Sequence, residues 1–397
     1  MELYLQFGYG MMGLCRHFIE RWKGGTVILS PRDLTGEQIQ RLGKEIIERG
    51  GRTLVDPQFY DPRSTHYRLI DHDYWPGDFN TNMLSERSAV VDLLRRLLRL
   101  NEDACADRFI VPGLYCNHVN DLWLIIQDTL IAESARVVTD RPRIATVCLS
   151  GEVLRLEDQI EIIINAAEKW DVSGVYIVPE HPRNQYLVED PVWVGNLLIL
   201  CSGLKLQEKE VIVGYSNHQM LCMATARVDA IASGTWLNVR SFTTDKFHEV
   251  EPGEISRRAI WYYCPQAFSE YKVPFLDMAY RFGILELLRP EASLGSNYAD
   301  ILFSGVQPTS TDYSESKSFR HYLQCLHEQS LLVSRRTYRE TFDVYHSMLN
   351  DAESLLKNLR QHGVYGQDRD FGKIVDVNRS ALAALDHARG FVLERVW

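Results

Sequence analysis

The chain has 397 residues, 45% of them hydrophobic and 24% charged, with a formal net charge of −10. That length exceeds one small domain and suits one barrel of ~250 residues with an appendage. The acidic balance argues against a broad phosphate-binding surface, although a local basic patch is compatible with it.

Met1 leads straight into an apolar run with no basic n-region, so no secretory signal is predicted. The most apolar helix, Leu122 to Ala132, is interrupted by Gln127 and Asp128 and is too short to span a bilayer, so no membrane association is expected. The eight cysteines, at 15, 105, 116, 148, 201, 222, 264 and 325, form no C-x-x-C pair. They read as free thiols in a reducing cytosol, and a cytoplasmic location is expected.

In chain order the sequence repeats one unit: an apolar strand, a polar cluster, then an amphipathic helix. Leu3–Phe7 opens the series, ends in Gly8-Tyr9-Gly10 and leads to a helix over Met11–Trp22. Thr26–Leu29 ends at Ser30-Pro31-Arg32-Asp33, and its helix, about Gly36–Arg49, spaces Ile39, Leu42, Ile46 and Ile47 on one side. Gly50-Gly51 stops that helix, and Arg52–Val55 then delivers Asp56. An insertion over 61–82, rich in His, Tyr, Trp, Asp and Pro, leaves this strand and is expected to lie over the barrel mouth.

A helix over Ser85–Leu100 precedes the strand Arg108–Val111, whose unit carries Asn117, His118 and a helix over Val119–Ala135. Ile144–Leu149 precedes an amphipathic helix over Leu156–Trp170. Gly174–Val178 ends at Glu180 and His181, with a helix including Val192–Cys201. Val211–Tyr215 leads to Asn217, His218 and a helix over Gln219–Arg227, and Ala230–Ser233 runs on to Trp236, Asn238 and Arg240. Eight such units predict an α/β fold, a (β/α)8 TIM-like barrel over residues 1–250. An open doubly wound sheet would also put polar residues at strand ends, but no G-x-G-x-x-G loop follows any strand. Gly8-Tyr9-Gly10 with Gly13 is only a partial match and reads as a tight turn.

Beyond residue 250 the alternation stops, and 251–397 is predicted as a C-terminal helical region. Glu254–Tyr263 and Phe275–Leu288 read as helices, and Ser316–Gln361 as a long helical tract with one break. Apolar residues at 319, 322, 323 and 326, then 338, 342, 345, 348, 349 and 352, form a stripe facing the barrel, a protein partner or a second copy of the chain.

Strand-terminal polar residues of a barrel converge on one mouth. Asp56 is the leading candidate for an acid, base or nucleophile, because partial burial after an apolar strand raises a carboxylate's pKa; it can equally hold the Pro57 turn. Glu180, His181 and His218 on adjacent strands can bind a divalent metal or form an acid–base pair, though no H-x-H or H-E-x-x-H spacing supports a metal; the two histidines can equally cap helices or bond backbone carbonyls. Arg32 can hold a carboxylate or phosphate in bidentate fashion or form a local network with Asp33, Arg240 lies where barrels often bind phosphate, and Gln58, Tyr60, Asn117, His118 and Asn217 can position a substrate. Trp236 and the insertion's His66, His72, Tyr74 and Trp75 can stack on a planar ligand or form a satellite core.

Around Asp56 and the last two units, the sequence resembles the queuine/archaeosine tRNA-guanine transglycosylase superfamily, a barrel family. Its strand ending in D-S-G-G-F-Q corresponds to Asp56-Pro57-Gln58-Phe59-Tyr60. Its G-x-x-x-P-x-D-L-L-x-x-A-V-x-x-G-V-D-x-F-D-C stretch is similar in layout to Gly214–Leu221 followed by Ala226–Ser233. The resemblance implies acid–base chemistry at Asp56, glycosyl transfer and a nucleic-acid partner. Ala232 stands at the family's nucleophile, and its C-x-C-x-x-C zinc motif is absent.

The sequence therefore predicts a barrel enzyme acting on a small polar, nucleobase- or nucleoside-like substrate by glycosyl transfer or hydrolysis, with no cofactor specified. Lyase or metal-assisted hydrolysis fits nearly as well. The alternative is a catalytically silent barrel serving as a binding subunit or scaffold through its C-terminal helices.

Overall fold

Eight short apolar runs pair in parallel in the computed structural model, which describes residues 1–247, 259–294 and 296–397. The strands are β1 (Glu2–Gln6), β2 (Thr26–Leu29), β3 (Arg52–Val55), β4 (Phe109–Val111), β5 (Arg143–Leu149), β6 (Gly174–Pro179), β7 (Glu210–Val213) and β8 (Ala230–Ser233). Their hydrogen-bonded order is β3-β2-β1-β8-β7-β6-β5-β4, with Leu3 opposite Ile231 where the last strand meets the first. Between β3 and β4 no ladder forms. Asp107 N to Thr53 O (3.3 Å) and Tyr115 N to Tyr60 O (3.0 Å) bridge that seam instead. A two-residue strand, Tyr115–Cys116, continues the line of β4 and pairs with the end of β5. The result is the (β/α)8 TIM-like barrel that the repeated unit predicts.

The helices form where apolar periodicity coincides with a start signal. Gly36–Glu48 begins with a capping box made by Thr35 and Gln38 and buries Ile39, Leu42 and Ile46. Asn120 caps Asp121–Val137, and Asp190 caps Pro191–Leu206. The latter is apolar almost all round because the helix Ile374–Leu385 packs on it. After β7 the expected α-helix is a wholly buried 3-10 segment, His218–Ala226. The C-terminal helices contact this segment, in the layer where an ordinary crossover helix would lie.

The C-terminal region is not purely helical. Residues 254–258 of the expected helix lie outside the described residues, while Trp261–Cys264 is a strand, β9. It pairs antiparallel with β10 (Ser269–Lys272), because a Trp-Tyr-Tyr run has strong strand preference and Pro265–Ala267 supplies the turn. Phe275–Leu288 resolves into the helix Val273–Arg281 and a 3-10 turn, Leu285–Leu288, separated by Gly283 at φ 69°. The long tract is two helices, Glu315–Val333 and Tyr338–Gln361, capped by Ser314 and Thr337. Their stripe residues Tyr322, Leu323, Leu326, Tyr345, Leu349 and Ala352 are buried in a core continuous with the barrel's.

At the barrel's N-terminal end, Arg108 pairs with Glu210 and donates to the Tyr4 hydroxyl at 3.3 Å. Polar closure there belongs to stability, which leaves the opposite end for function.

Candidate functional site

Asp56 leaves the end of β3 and has no exposed surface. The Gln58 amide (3.0 Å) and the Tyr60 hydroxyl (2.7 Å) donate to its Oδ1. Tyr215 (2.8 Å), Tyr176 (3.2 Å) and the Gln6 amide (3.5 Å) donate to its Oδ2. Burial pushes the carboxyl's pKa up, and these hydrogen bonds only partly oppose it. Gln58 and Tyr215 both hold left-handed backbone, at φ 51° each, and their side chains bond at 3.1 Å. Backbone strain of this kind, about 1–3 kcal/mol per residue, persists where the surroundings over-determine it.

The stretch after β8 roofs this hub. Phe242 packs edge-on against Tyr60 and Tyr215, and Lys246 stands 3.5 Å from the centre of the Tyr215 ring. Arg32 donates to the Lys246 carbonyl (2.7 Å) and Ser64 to that of Phe247, so two loops hold the roof down. Burial, and then Arg32, hold the Lys246 ammonium well below its usual range, with Asp56 opposing them.

Glu180 ends β6 and is half-buried. Its Oε2 accepts from the Tyr115 hydroxyl (2.5 Å) and the Gly151 amide (3.1 Å), while its Oε1 takes no hydrogen bond among the described residues. Burial and then Glu180 push the Tyr115 phenol's pKa up. Tyr60 and Tyr115 line one pocket of about 360 Å³ at the β3–β4 seam, together with Asn117, Arg63 and Thr244. Each tyrosine that lines this pocket is therefore hydrogen-bonded to a carboxylate, Tyr60 to Asp56 and Tyr115 to Glu180.

The other expected residues separate from this pocket. His181 is buried with Nδ1 2.9 Å from the Gln185 carbonyl and its ring against Trp193, and burial drops it to about 4. His218 sits among Tyr186, Tyr263, Tyr322 and Phe371, and burial likewise drops it to about 4. Both read as neutral core histidines. Asn217 caps the segment after β7, accepting from the Gln219 amide at 2.8 Å. His118 is exposed. Arg32 and Gln58 brace the hub, with Gln58 Oε1 accepting from the Arg32 amide at 2.9 Å. Arg240 and Trp236 line a different cavity, beyond β8. His72 bonds the Pro31 and Leu34 carbonyls, and Tyr74 the Pro57 carbonyl, so this part of the insertion is a satellite core.

Sequence reasoning passed over Tyr115, Tyr176, Tyr215 and Lys246. Tyr176 sits inside an apolar strand and reads as core, although a tyrosine wholly buried there needs a partner for its hydroxyl. Lys246 carries no local signal at all.

No known family profile matches the chain, and no curated protein matches it. Among solved structures, the catalytic domain of a hyperthermophilic chitinase from Pyrococcus furiosus aligns at 10% identity and TM-score 0.36, over 62% of this chain and 92% of that one. The carboxyl transferase domain of Rhizobium etli pyruvate carboxylase, solved with pyruvate, aligns at 11% identity and TM-score 0.35, over 100% of this chain and 55% of that one.

Proposed function

We propose that the chain is an enzyme performing acid–base or glycosyl-transfer chemistry on a small polar, nucleobase- or nucleoside-like molecule in the pocket at the β3–β4 seam. The observation that carries this reading is the pairing of two phenols on one pocket with two carboxylates, Tyr115 with Glu180 and Tyr60 with Asp56. Titratable groups held together by hydrogen bonds at the edge of one pocket are candidates for acid–base roles. Glu180, with one oxygen unengaged among the described residues, supplies the base or nucleophile, and Tyr60, held by Asp56, shapes the pocket wall. Asn117 positions the substrate. The transglycosylase-like pattern favours a glycosidic carbon as the reacting centre, but its nucleophile position falls on Ala232, buried in β8. The net charge of −10 favours a small ligand over a nucleic-acid polymer, and buried free thiols suit a reducing, cytoplasmic setting.

A thermal-shift screen of nucleobases, nucleosides and short oligosaccharides tests this, followed by Tyr115→Phe and Glu180→Gln. A hit should stabilise the parent chain and lose that effect in both variants, with their unliganded melting temperatures near the parent's. A hit indifferent to both substitutions, or none from the whole screen, sinks the reading.

A second reading, a catalytically silent barrel used as a binding subunit, draws support from Asp56. Its carboxylate is wholly buried and both its oxygens are engaged, as in a structural hub.

A further inference from the structure

A separate cavity of about 330 Å³ opens beyond β8, between the strand end, the β9–β10 hairpin and the helix Glu315–Val333. Its base is charged. Arg240 (3% exposed side chain) and Arg369 (13%) converge on the single carboxylate of Glu270 (4%), at 3.3 and 2.9 Å. The Tyr186 hydroxyl (2.7 Å) also donates to Glu270. Burial pushes Glu270 up, but Arg369 and Arg240 outweigh it and hold the carboxyl at about 2. At the base one carboxylate thus faces two guanidinium groups among the described residues, and Glu315 is the second carboxylate of the lining.

Both guanidinium groups are fixed before any ligand arrives. Arg240 lies 3.4 Å from the centre of the Tyr322 ring and donates to the Gly234 carbonyl at 2.9 Å. Arg369 lies 3.8 Å from the centre of the Trp261 ring, and its buried Nε has no hydrogen-bond partner among the described residues. The Thr235 hydroxyl is a second orphan. Thr235 lines the cavity at 4% exposure, and its Oγ1 also lacks a partner among the described residues. An unpaired buried hydroxyl is destabilising, so such a group points to something that completes it. The remaining wall is aromatic: Trp236 meets Phe319 edge-on at 4.9 Å, beside Trp261. Glu315, also in the lining, is half-exposed and belongs to the first turn of its helix, where a negative charge favours the helix itself.

We infer that this cavity is a second binding site, distinct from the seam pocket, for a small anion carrying a flat aromatic ring. The anionic group would meet the Arg369 guanidinium, whose Nε is unengaged among the described residues, and the Thr235 hydroxyl, and the ring would lie among Trp236, Trp261 and Phe319.

The test titrates the full chain with adenosine 5′-monophosphate, benzoate and inorganic phosphate, read by tryptophan fluorescence and calorimetry. The parent should bind the nucleotide or benzoate with a fluorescence change, and inorganic phosphate at least ~10-fold more weakly, since it brings no ring. A nucleotide preference assigns a phosphate as the anionic group, and a benzoate preference a carboxylate. Thr235→Val, nearly isosteric, should weaken binding roughly 10-fold, and Arg369→Lys should weaken it while keeping the charge. Tyr115→Phe should leave this affinity unchanged. The inference falls if no probe binds, if inorganic phosphate binds as well as the aromatic anions, if Thr235→Val binds like the parent, or if Tyr115→Phe is the variant that loses binding.

Discussion

His218 should make the protein's stability depend on pH in a way that one substitution can isolate. The ring is fully buried, neither nitrogen makes a hydrogen bond of normal geometry among the described residues, and burial holds its pKa at about 4 against an ordinary 6.5. In the unfolded chain the imidazole takes up a proton as pH falls through 6.5; in the folded chain it stays neutral until about 4. The unfolded state therefore binds more protons across that window, and stability falls as pH falls. Between pH 7 and pH 5 the loss attributable to this one ring is about 2 kcal/mol. His218→Phe keeps a flat ring in the same aromatic surroundings and removes the titration. Urea unfolding of parent and variant at pH 7 and pH 5 gives two pH-dependent differences. The parent should lose ~2 kcal/mol more than the variant on acidification, other groups cancelling in the comparison. Equal losses would refute the argument, because His218 would then be protonated or solvated in the fold.

Asp56→Ala strips the acceptor from three tyrosine hydroxyls and the Gln58 amide, and should cost ~3 kcal/mol by urea unfolding. Asp56→Asn, which keeps one acceptor oxygen, should cost ~1 kcal/mol. Gly214→Ala places a methyl 2.4 Å from the Tyr176 hydroxyl oxygen; unfolding should show a loss of ~2 kcal/mol or more, and a stability like the parent's would mean that Tyr176 moves freely. Glu270→Gln leaves Arg240 and Arg369 without their shared countercharge, and a drop of about 3–5 kcal/mol is expected in the same assay.

The barrel was legible because each strand end carries its own polar punctuation, as at Asp56, Glu180 and Asn217. The site was legible only in part, and the reason is geometric. Asp56 was visible, and so was Tyr60 four residues on, but the other two tyrosines that fill its acceptors come from β6 and from the end of β7, 120 and 159 residues away. Tyr176 looks like core because it is core, with one polar atom turned to use. Glu180 was visible, and its partner Tyr115 lay inside a polar cluster where Asn117 and His118 drew the attention. His181 and His218 lie in buried aromatic surroundings that the sequence did not reveal, since a strand-end histidine carries the same letter whether it faces a cavity or a wall of aromatic rings. The β9–β10 hairpin was missed because Trp-Tyr-Tyr supports either element by apolar period over so short a run.

The gap between β3 and β4 is the barrel's one unzipped edge, and the pocket sits in it. Among the described residues two backbone hydrogen bonds cross there, at Thr53 and Tyr60, whereas the neighbouring β5 and β6 pair along six consecutive residues. A molecule held between Tyr60 and Tyr115 would act as a missing rung, joining the first and last members of an otherwise linear stack of strands. Occupancy would then be felt around the whole hoop, turning a sheet with two free ends into a ring with none.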